Sequence, residues 1–213
     1  TPRPPPPPRR PTHPKTRKTS TQKPPQPLSE RTRLTARLPT RRTPDDPPFR
    51  VALALGGNLG DPEEAFHSTL EGLQSQLDIL SIASIFRTRP ISSIPQPWYL
   101  NTAMMADTRL DPWQLLGVTK ALERRAGRTR GARFGPRHLD IDLLLFDGLQ
   151  VNGPELQIPH PRLRQRKFFL APLAEIAPHL EVPPGGETIA ELLADLGDDP
   201  QIENVGWRHR PHP

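Results

Sequence analysis

Apolar positions begin abruptly at Phe49. Arg50-Val-Ala-Leu-Ala-Leu-Gly56 is apolar at almost every position, which predicts a buried strand, and the following Gly-Gly-Asn closes it with a turn. Asp61-Pro62 then opens a helix, aspartate as cap and proline at the first helical position, running to about Asp78. The β-branched run Ile79 to Arg87 predicts a second strand, and Leu100 to Thr108 a third. Asp111-Pro112 opens a second helix through Leu115, Leu116, Leu122 and Glu123, and His138 to Phe146 reads as a fourth strand. Helical spacing returns over Arg164 to Ile176 and Thr188 to Leu196. The order strand, helix, strand, strand, helix, strand predicts an α+β, ferredoxin-like fold, a mainly antiparallel sheet with helices packed on it. No internal repeat is visible.

Upstream of Phe49 this patterning is missing, and composition explains why. Residues 1 to 49 hold 15 of the 31 prolines, and 12 Lys or Arg against three acids, Glu30, Asp45 and Asp46. Such a segment cannot bury enough surface to offset its ordering entropy, so residues 1–48 are expected to be a disordered tail, with polyproline II at Pro4 to Pro8. A solvated tail without a dedicated role, a linker from an upstream domain and an Arg-rich targeting segment all fit it. The first residue is Thr, which leaves a missing upstream segment open. The domain proper is expected to span residues 49–210.

The tail also changes the meaning of the charge. The chain is +6 overall, yet beyond residue 49 it carries 17 basic against 20 acidic residues. A basic total invites a nucleic-acid reading, for which the globular part offers no net charge. The absence of cysteine excludes disulfides, thiolate zinc sites and cysteine nucleophiles. No stretch approaches 18 apolar residues, and no charged-then-apolar signal opens the chain. A cytoplasmic monomer acting on small molecules, with no membrane and no nucleic acid bound by the domain, is expected.

The chemistry concentrates in Arg133-Phe-Gly-Pro-Arg137-His-Leu-Asp140-Ile-Asp142-Leu-Leu-Leu-Phe146. Strand alternation puts Asp140 and Asp142 on one face and Leu139, Ile141 and Leu143 on the other. Two carboxylates side by side repel and are costly to desolvate unless a cation neutralises them. Pairing with Arg137 or a solvated face would satisfy them. So would magnesium, which takes one or two carboxylates and completes its octahedron with water and phosphate oxygens. The neighbours favour the metal: Arg128, Arg130, Arg133 and Arg137 precede the pair on a loop punctuated by Gly127, Gly131 and Gly135-Pro136. Guanidinium groups beside metal-binding carboxylates are the parts that phosphoryl transfer requires.

These residues resemble the 6-hydroxymethyl-7,8-dihydropterin pyrophosphokinase family, whose signature is a basic residue two before Gly-Pro-Arg and then, two residues on, Asp-x-Asp with apolar followers. The resemblance runs from about Val51 to Leu180. It includes Gly56-Gly-Asn58-Leu59, Phe86-Arg-Thr-Arg-Pro90, Trp98-Tyr-Leu-Asn101, Ile158-Pro-His160 and Arg166-Lys-Phe168. It implies ATP-dependent transfer of pyrophosphate to the pterin hydroxymethyl group, with AMP leaving, in folate biosynthesis. It further implies that Asp140 and Asp142 hold two magnesium ions on the ATP phosphates, that Arg128 and Arg137 contact those phosphates, and that His160 and Arg166 help bind ATP. Arg130 and Arg133 belong to the same nucleotide side, and Glu123 is implied as the acid anchoring the arginine loop. For the pterin it implies stacking between Tyr99 and Phe168, with Asn101 and the backbone near Thr88 and Ile91 at the ring edge. In the family a small hydroxyl residue is common where Gly57 stands.

Gly56-Gly-Asn-Leu-Gly60 lacks the ending of a P-loop and reads by itself as a turn. His67 and His138 lack metal-ligand spacing to another histidine and read as surface or packing residues, while Met104, Met105, Trp113 and Trp207 read as packing. The alternative to an enzyme is a ferredoxin-like nucleic-acid-binding module with a basic arm, which would need exposed aromatics on its central strands.

Overall fold

The computed structural model describes residues 42–43, 45–90, 94–127, 135–198, 200–209 and 211. They all fall within one unit, residues 38–213. The expectations placed on residues 1–41, on Ile91 and on Arg128, Arg130 and Arg133 lie outside the described residues.

The first strand forms where its apolar run predicts, as β1 (Phe49–Gly57). Helix α1 (Pro62–Leu73) is capped by Asp61, whose side chain accepts the Glu64 N–H at 3.2 Å. It stops five residues short of the expected end. Leu77 continues the helical spacing of Leu70 and Leu73, but it also fits a strand, and pairing with Thr108 takes it into β2 (Leu77–Ile82). The single strand expected over Ile79 to Arg87 is two, since β3 (Phe86–Thr88) pairs with a different part of the same partner, β4 (Tyr99–Thr108). Helix α2 (Pro112–Arg125) begins with a full capping box, Asp111 and Gln114 each bonding the other's backbone. It leads through the arginine-bearing connection to β5 (Asp140–Phe146).

After β5 come the hairpin β6 (Val151–Asn152) and β7 (Gln157–Ile158), a 3-10 turn at Leu163–Gln165, and α3 (Lys167–Ile176). A second small hairpin, β8 (Glu181–Val182) and β9 (Glu187–Thr188), leads to α4 (Ile189–Asp195), and β10 (Ile202–Asn204) follows. These short pairs carry too few residues to show a period, and the sequence pattern passes over them.

The main sheet is antiparallel in the order β10-β3-β4-β1-β5, with β2 beside the second half of β4. Both faces are covered. On one, Val51, Leu53 and Leu55 of β1 pack with Phe66, Leu70 and Leu73 of α1 and Leu115 of α2. On the other, Ala52 and Ala54 meet Phe169, Leu170 and Leu173 of α3 and Ile189 and Leu192 of α4. The small residues of β1 thus face α3. Met104 and Met105 are buried on opposite faces, and Trp207 packs on the α1 side, as packing residues should.

The predicted tail is not free along its whole length. Arg42 lies 3.7 Å over the Phe49 ring and pairs with Asp147 at 3.0 Å, and its N–H donates to the Arg109 carbonyl at 3.0 Å. The folded unit therefore reaches back at least to Arg42. Among the described residues no helix is long and apolar enough to cross a membrane.

Candidate active site

The register of three neighbouring strands builds the floor of the cleft. Gly56 in β1 pairs with Asp140 on one side and Asn101 on the other, and Ala54 pairs with Asp142 and Ala103. Alternation puts Asp140 and Asp142 on the α3 face, while Leu139, Ile141 and Leu143 are buried in the α1 and α2 layer. Between the carboxylates and Asn101 lies only glycine. A Cβ at Gly56 would stand 3.1 Å from Asn101 Oδ1, so the missing side chain leaves this space open.

Asp140 forms an ion pair with Arg137, three residues before it. Asp142 is raised to about 7, first by burial and then by the charge of Asp140. Arg166 and Lys120 pull it the other way without compensating. His160 Nε2 is 3.8 Å from Asp142 Oδ1, beyond hydrogen-bond reach. Burial, followed by the charges of Arg166 and Arg162, lowers His160 to about 4, so at neutral pH the ring is uncharged and makes no ion pair. Its Nδ1 accepts the Arg162 N–H at 3.2 Å, which leaves the proton on Nε2, facing the cleft. Arg166 is itself lowered by burial and by neighbouring arginines, although Asp142 opposes the shift. The centre therefore holds one carboxylate, Asp142, short of positive charge, and one guanidinium, Arg166, short of negative charge. A dication on the first and phosphate oxygens on the second relieve both deficits.

The fit to magnesium follows from the donors. They are carboxylate oxygens, and among the described residues no third His, Cys, Asp or Glu joins them in a metal-holding group. Two carboxylates with substrate phosphates completing the shell suit this ion better than an all-protein cage would.

The residues expected from sequence to bind the second substrate gather around Asn101. Its Nδ2 donates to Thr88 Oγ1 at 2.8 Å, and both residues are buried. The Tyr99 hydroxyl lies 2.9 Å from the Gly135 carbonyl, tying β4 to the end of the arginine-bearing arm. Phe168 sits at the start of α3, edge-on to Phe169 at 4.7 Å, with the Arg166 guanidinium 5.1 Å from its ring. Glu123 is 2% exposed and reaches the opposite edge of β5, accepting the Ile141 N–H and Lys120 Nζ, each at 2.9 Å.

Two residues given no role from sequence stand at the centre of this framework. Asn58 accepts the Arg137 N–H at 2.8 Å and donates to Gln96 Oε1 and the Pro97 carbonyl, both at 3.0 Å. Its backbone N–H donates to the Arg137 carbonyl at 2.9 Å. One buried amide thus joins three loops. The available signal was a polar residue inside an apolar, glycine-flanked turn, which reads equally as ordinary turn chemistry. Gly57 permits the docking: a Cβ there would be 2.4 Å from the His138 carbonyl oxygen, a backbone atom with no freedom to yield. Gly57→Ala is expected to cost about 1–3 kcal/mol through overpacking and to lower turnover by displacing Arg137. Thermal unfolding and initial-rate measurements check the two effects. A variant with wild-type stability would show that the arm shifts freely.

Paired carboxylates beside Arg137 and Arg166, with glycine in the strand between them and Asn101, are the parts that phosphoryl transfer uses. A sequence model of 7,8-dihydro-6-hydroxymethylpterin-pyrophosphokinase (HPPK) matches residues 52–178, and the chain belongs to that family. The 2-amino-4-hydroxy-6-hydroxymethyldihydropteridine pyrophosphokinase of Methylorubrum extorquens is 43% identical over 158 residues, which cover 73% of this chain and 98% of that one. The enzyme of the same name from Pseudomonas aeruginosa is 37% identical over 147 residues, 68% of this chain and 90% of its own. The mitochondrial folate synthesis bifunctional protein of Pisum sativum is 39% identical over 127 residues, which are 59% of this chain and 25% of that protein. Among solved structures, wild-type HPPK-DHPS of Plasmodium falciparum superposes with a TM-score of 0.57 at 14% identity, a likeness of fold. It covers 71% of this chain, which spans less than half of that one, 45%. The nucleic-acid alternative finds no support. Helices cover both faces of the sheet, and aspartates stand where such a module would expose aromatic platforms.

Proposed function

We propose that the cleft aligns ATP with a reduced pterin so that the hydroxymethyl oxygen attacks the β-phosphorus in line, the new oxygen–phosphorus bond forming as the bond to the AMP oxygen breaks. The chain is a pyrophosphokinase of folate biosynthesis. The observation that carries the residue assignment is the shared face of Asp140 and Asp142 beside Arg137, Arg166 and His160. Asp140 and Asp142 would hold magnesium, two ions in this reading, which would supply positive charge against the phosphates.

Arg137, held by Asn58 and steered by Asp140, presents its guanidinium to the transferring group, with Arg128, Arg130 and Arg133 on the same arm. His160 donates its Nε2 proton to a phosphate oxygen as a neutral group, and Arg166 supplies fixed charge. Asn101 and Thr88 fix the pterin edge, with Tyr99 and Phe168 against its faces and the backbone of Ile91 nearby. Glu123 holds the edge of β5 behind the two aspartates. No covalent nucleophile is required, and the rate comes from alignment and charge stabilisation.

The sheet order, with two βαβ halves interleaved, supports a ferredoxin-like description. A monomer in a cytoplasmic setting is part of the same reading, as is a pyrophosphokinase domain over 49–210, against which Arg42 packs. The experiment is incubation with ATP, magnesium and 6-hydroxymethyl-7,8-dihydropterin. AMP is the expected nucleotide product, and ADP in its place would overturn the proposed chemistry.

A further inference from the structure

The end of the chain, beyond residues 52–178, is bonded to β3, which carries Thr88, and to the start of α1, which follows the Asn58 turn. Strand β10 adds to the outer edge of β3, with Ile202 opposite Thr88 and Asn204 opposite Phe86. The Arg89 N–H donates to the Gln201 carbonyl at 3.2 Å, and the Val205 N–H to the Ile85 carbonyl at 2.8 Å. The chain then crosses to the α1 face of the sheet. Trp207 Nε1 donates to the Ala83 carbonyl at 2.8 Å, while its ring packs at 6.3 Å from Phe66 and 5.2 Å from His67 of α1. Arg208 finishes the crossing at the start of α1. Its Nε donates to Glu63 Oε2 at 2.7 Å and its Nη2 to Asp61 Oδ1 at 2.5 Å. The backbone N–H groups of Arg208 and His209 both donate to Glu63 Oε1, at 2.6 and 3.1 Å.

Glu63 is the informative residue. It is 4% exposed, and a carboxylate at that depth is costly unless its oxygens are satisfied. Its hydrogen-bond partners here, two backbone N–H groups and a guanidinium, all come from the last described residues. Asp61, the second receptor of Arg208, caps α1 and directly follows the Gly57–Gly60 turn that carries Asn58 and grips Arg137. The same segment thus holds Thr88 from one side and the Asn58 turn from the other.

We propose that residues 201–209 form a strap, closed by Arg208 on Glu63 and Asp61, that sets the separation of β3, with Thr88 on the pterin side, from the Asn58 turn that grips Arg137. Arg208 and Glu63 are positioning residues: they act through β3 and the Asn58 turn and touch no substrate. The proposal rests on the reading of the cleft given above. Its effect falls on Thr88 through β3 and on Arg137 through the Asn58 turn, whereas His160 and Arg166, read as binding ATP, lie before and at the start of α3.

The test is steady-state kinetics of the full chain with Arg208→Ala and Glu63→Gln at a temperature well below the melting point of each variant. A displacement of a fraction of an ångström weakens alignment, so KM for the pterin should rise about three- to tenfold and kcat should fall with it, because the Asn58 turn also holds Arg137, while KM for ATP changes less. Arg208→Lys keeps the charge but not the forked reach to two carboxylates. It should fall between the wild type and Arg208→Ala, and it serves in the same assay if the alanine variant does not fold. A lowered melting point with both KM values unchanged, or equal rises for both substrates, overturns the proposal and leaves the strap with stability alone. Wild-type AMP formation is the control: its failure would sink the reading of the cleft, whereas an active wild type with an indifferent Arg208→Ala sinks only the strap.

Discussion

Asp142→Asn should lose turnover by about a thousandfold, since a metal clamp on phosphate contributes on the order of 4 kcal/mol to the transition state. The same substitution should make the metal-free protein more stable at alkaline pH. The Asp142 carboxyl is raised to about 7 by burial and by Asp140, against about 3.9 in an unfolded chain. A group raised in the folded state favours folding while it is protonated, and that contribution disappears as pH climbs through the folded value. Below about pH 4 both states are protonated and the asparagine variant gains nothing. Above about pH 7 the wild type holds an ill-solvated charge that the variant lacks, worth on the order of 2 kcal/mol, or several degrees of Tm in a domain this size. Thermal unfolding in chelator at pH 4 and pH 8, with and without the substitution, measures this. Magnesium with ATP should then raise the wild-type Tm and leave that of Asp142→Asn nearly unmoved. A variant that forms AMP at the wild-type rate, or is equally destabilised at both pH values, would remove the carboxylate pair from the centre of the mechanism.

How far the sequence discloses this site depends on which interactions are local. The shared face of Asp140 and Asp142 follows from strand alternation within three residues, and the two helix starts follow from Asp-Pro pairs that cap themselves. Helix α1 ends early because Leu77 is apolar in both periodicities, and only its pairing with Thr108, 31 residues away, decides between them. The bulge where Ala52 and Leu53 of β1 shift register against β5 is equally hidden. It places both Leu144 and Leu145 on the α3 side, a choice that depends on the neighbouring strand. Asn58 and Gly57 could not be weighted from sequence, because their partners at Arg137, His138 and Gln96 arrive by tertiary docking. Glu63 is the strongest case. An acid in the first turn of a helix reads as a solvated partner of the helix dipole, and only the return of Arg208 from the far end of the chain turns it into a buried receptor.

Glu123→Ala should be the most destabilising single change in the cleft. Ile141 lies between the two aspartates on a strand paired on one side only, by β1, and its outward N–H goes to Glu123 Oε1. Truncation leaves that donor buried without its partner, releases Lys120 and opens a void, together about 3–5 kcal/mol. The melting point should fall by about ten degrees. Glu123→Gln separates the contributions. The amide oxygen can still accept from Ile141 while the charge facing Lys120 is lost, so its cost should be nearer 1–2 kcal/mol. Glu123 also raises Asp142 while Lys120 lowers it, so both variants should shift the Asp142 carboxyl downward. The alanine variant is then expected to lose activity through a β5 edge no longer held straight, and the glutamine variant to retain most of it. Chemical denaturation gives the energies and initial rates give the activities. Equal losses in the two variants would show that the charge of Glu123, rather than its hold on Ile141, is what the cleft requires.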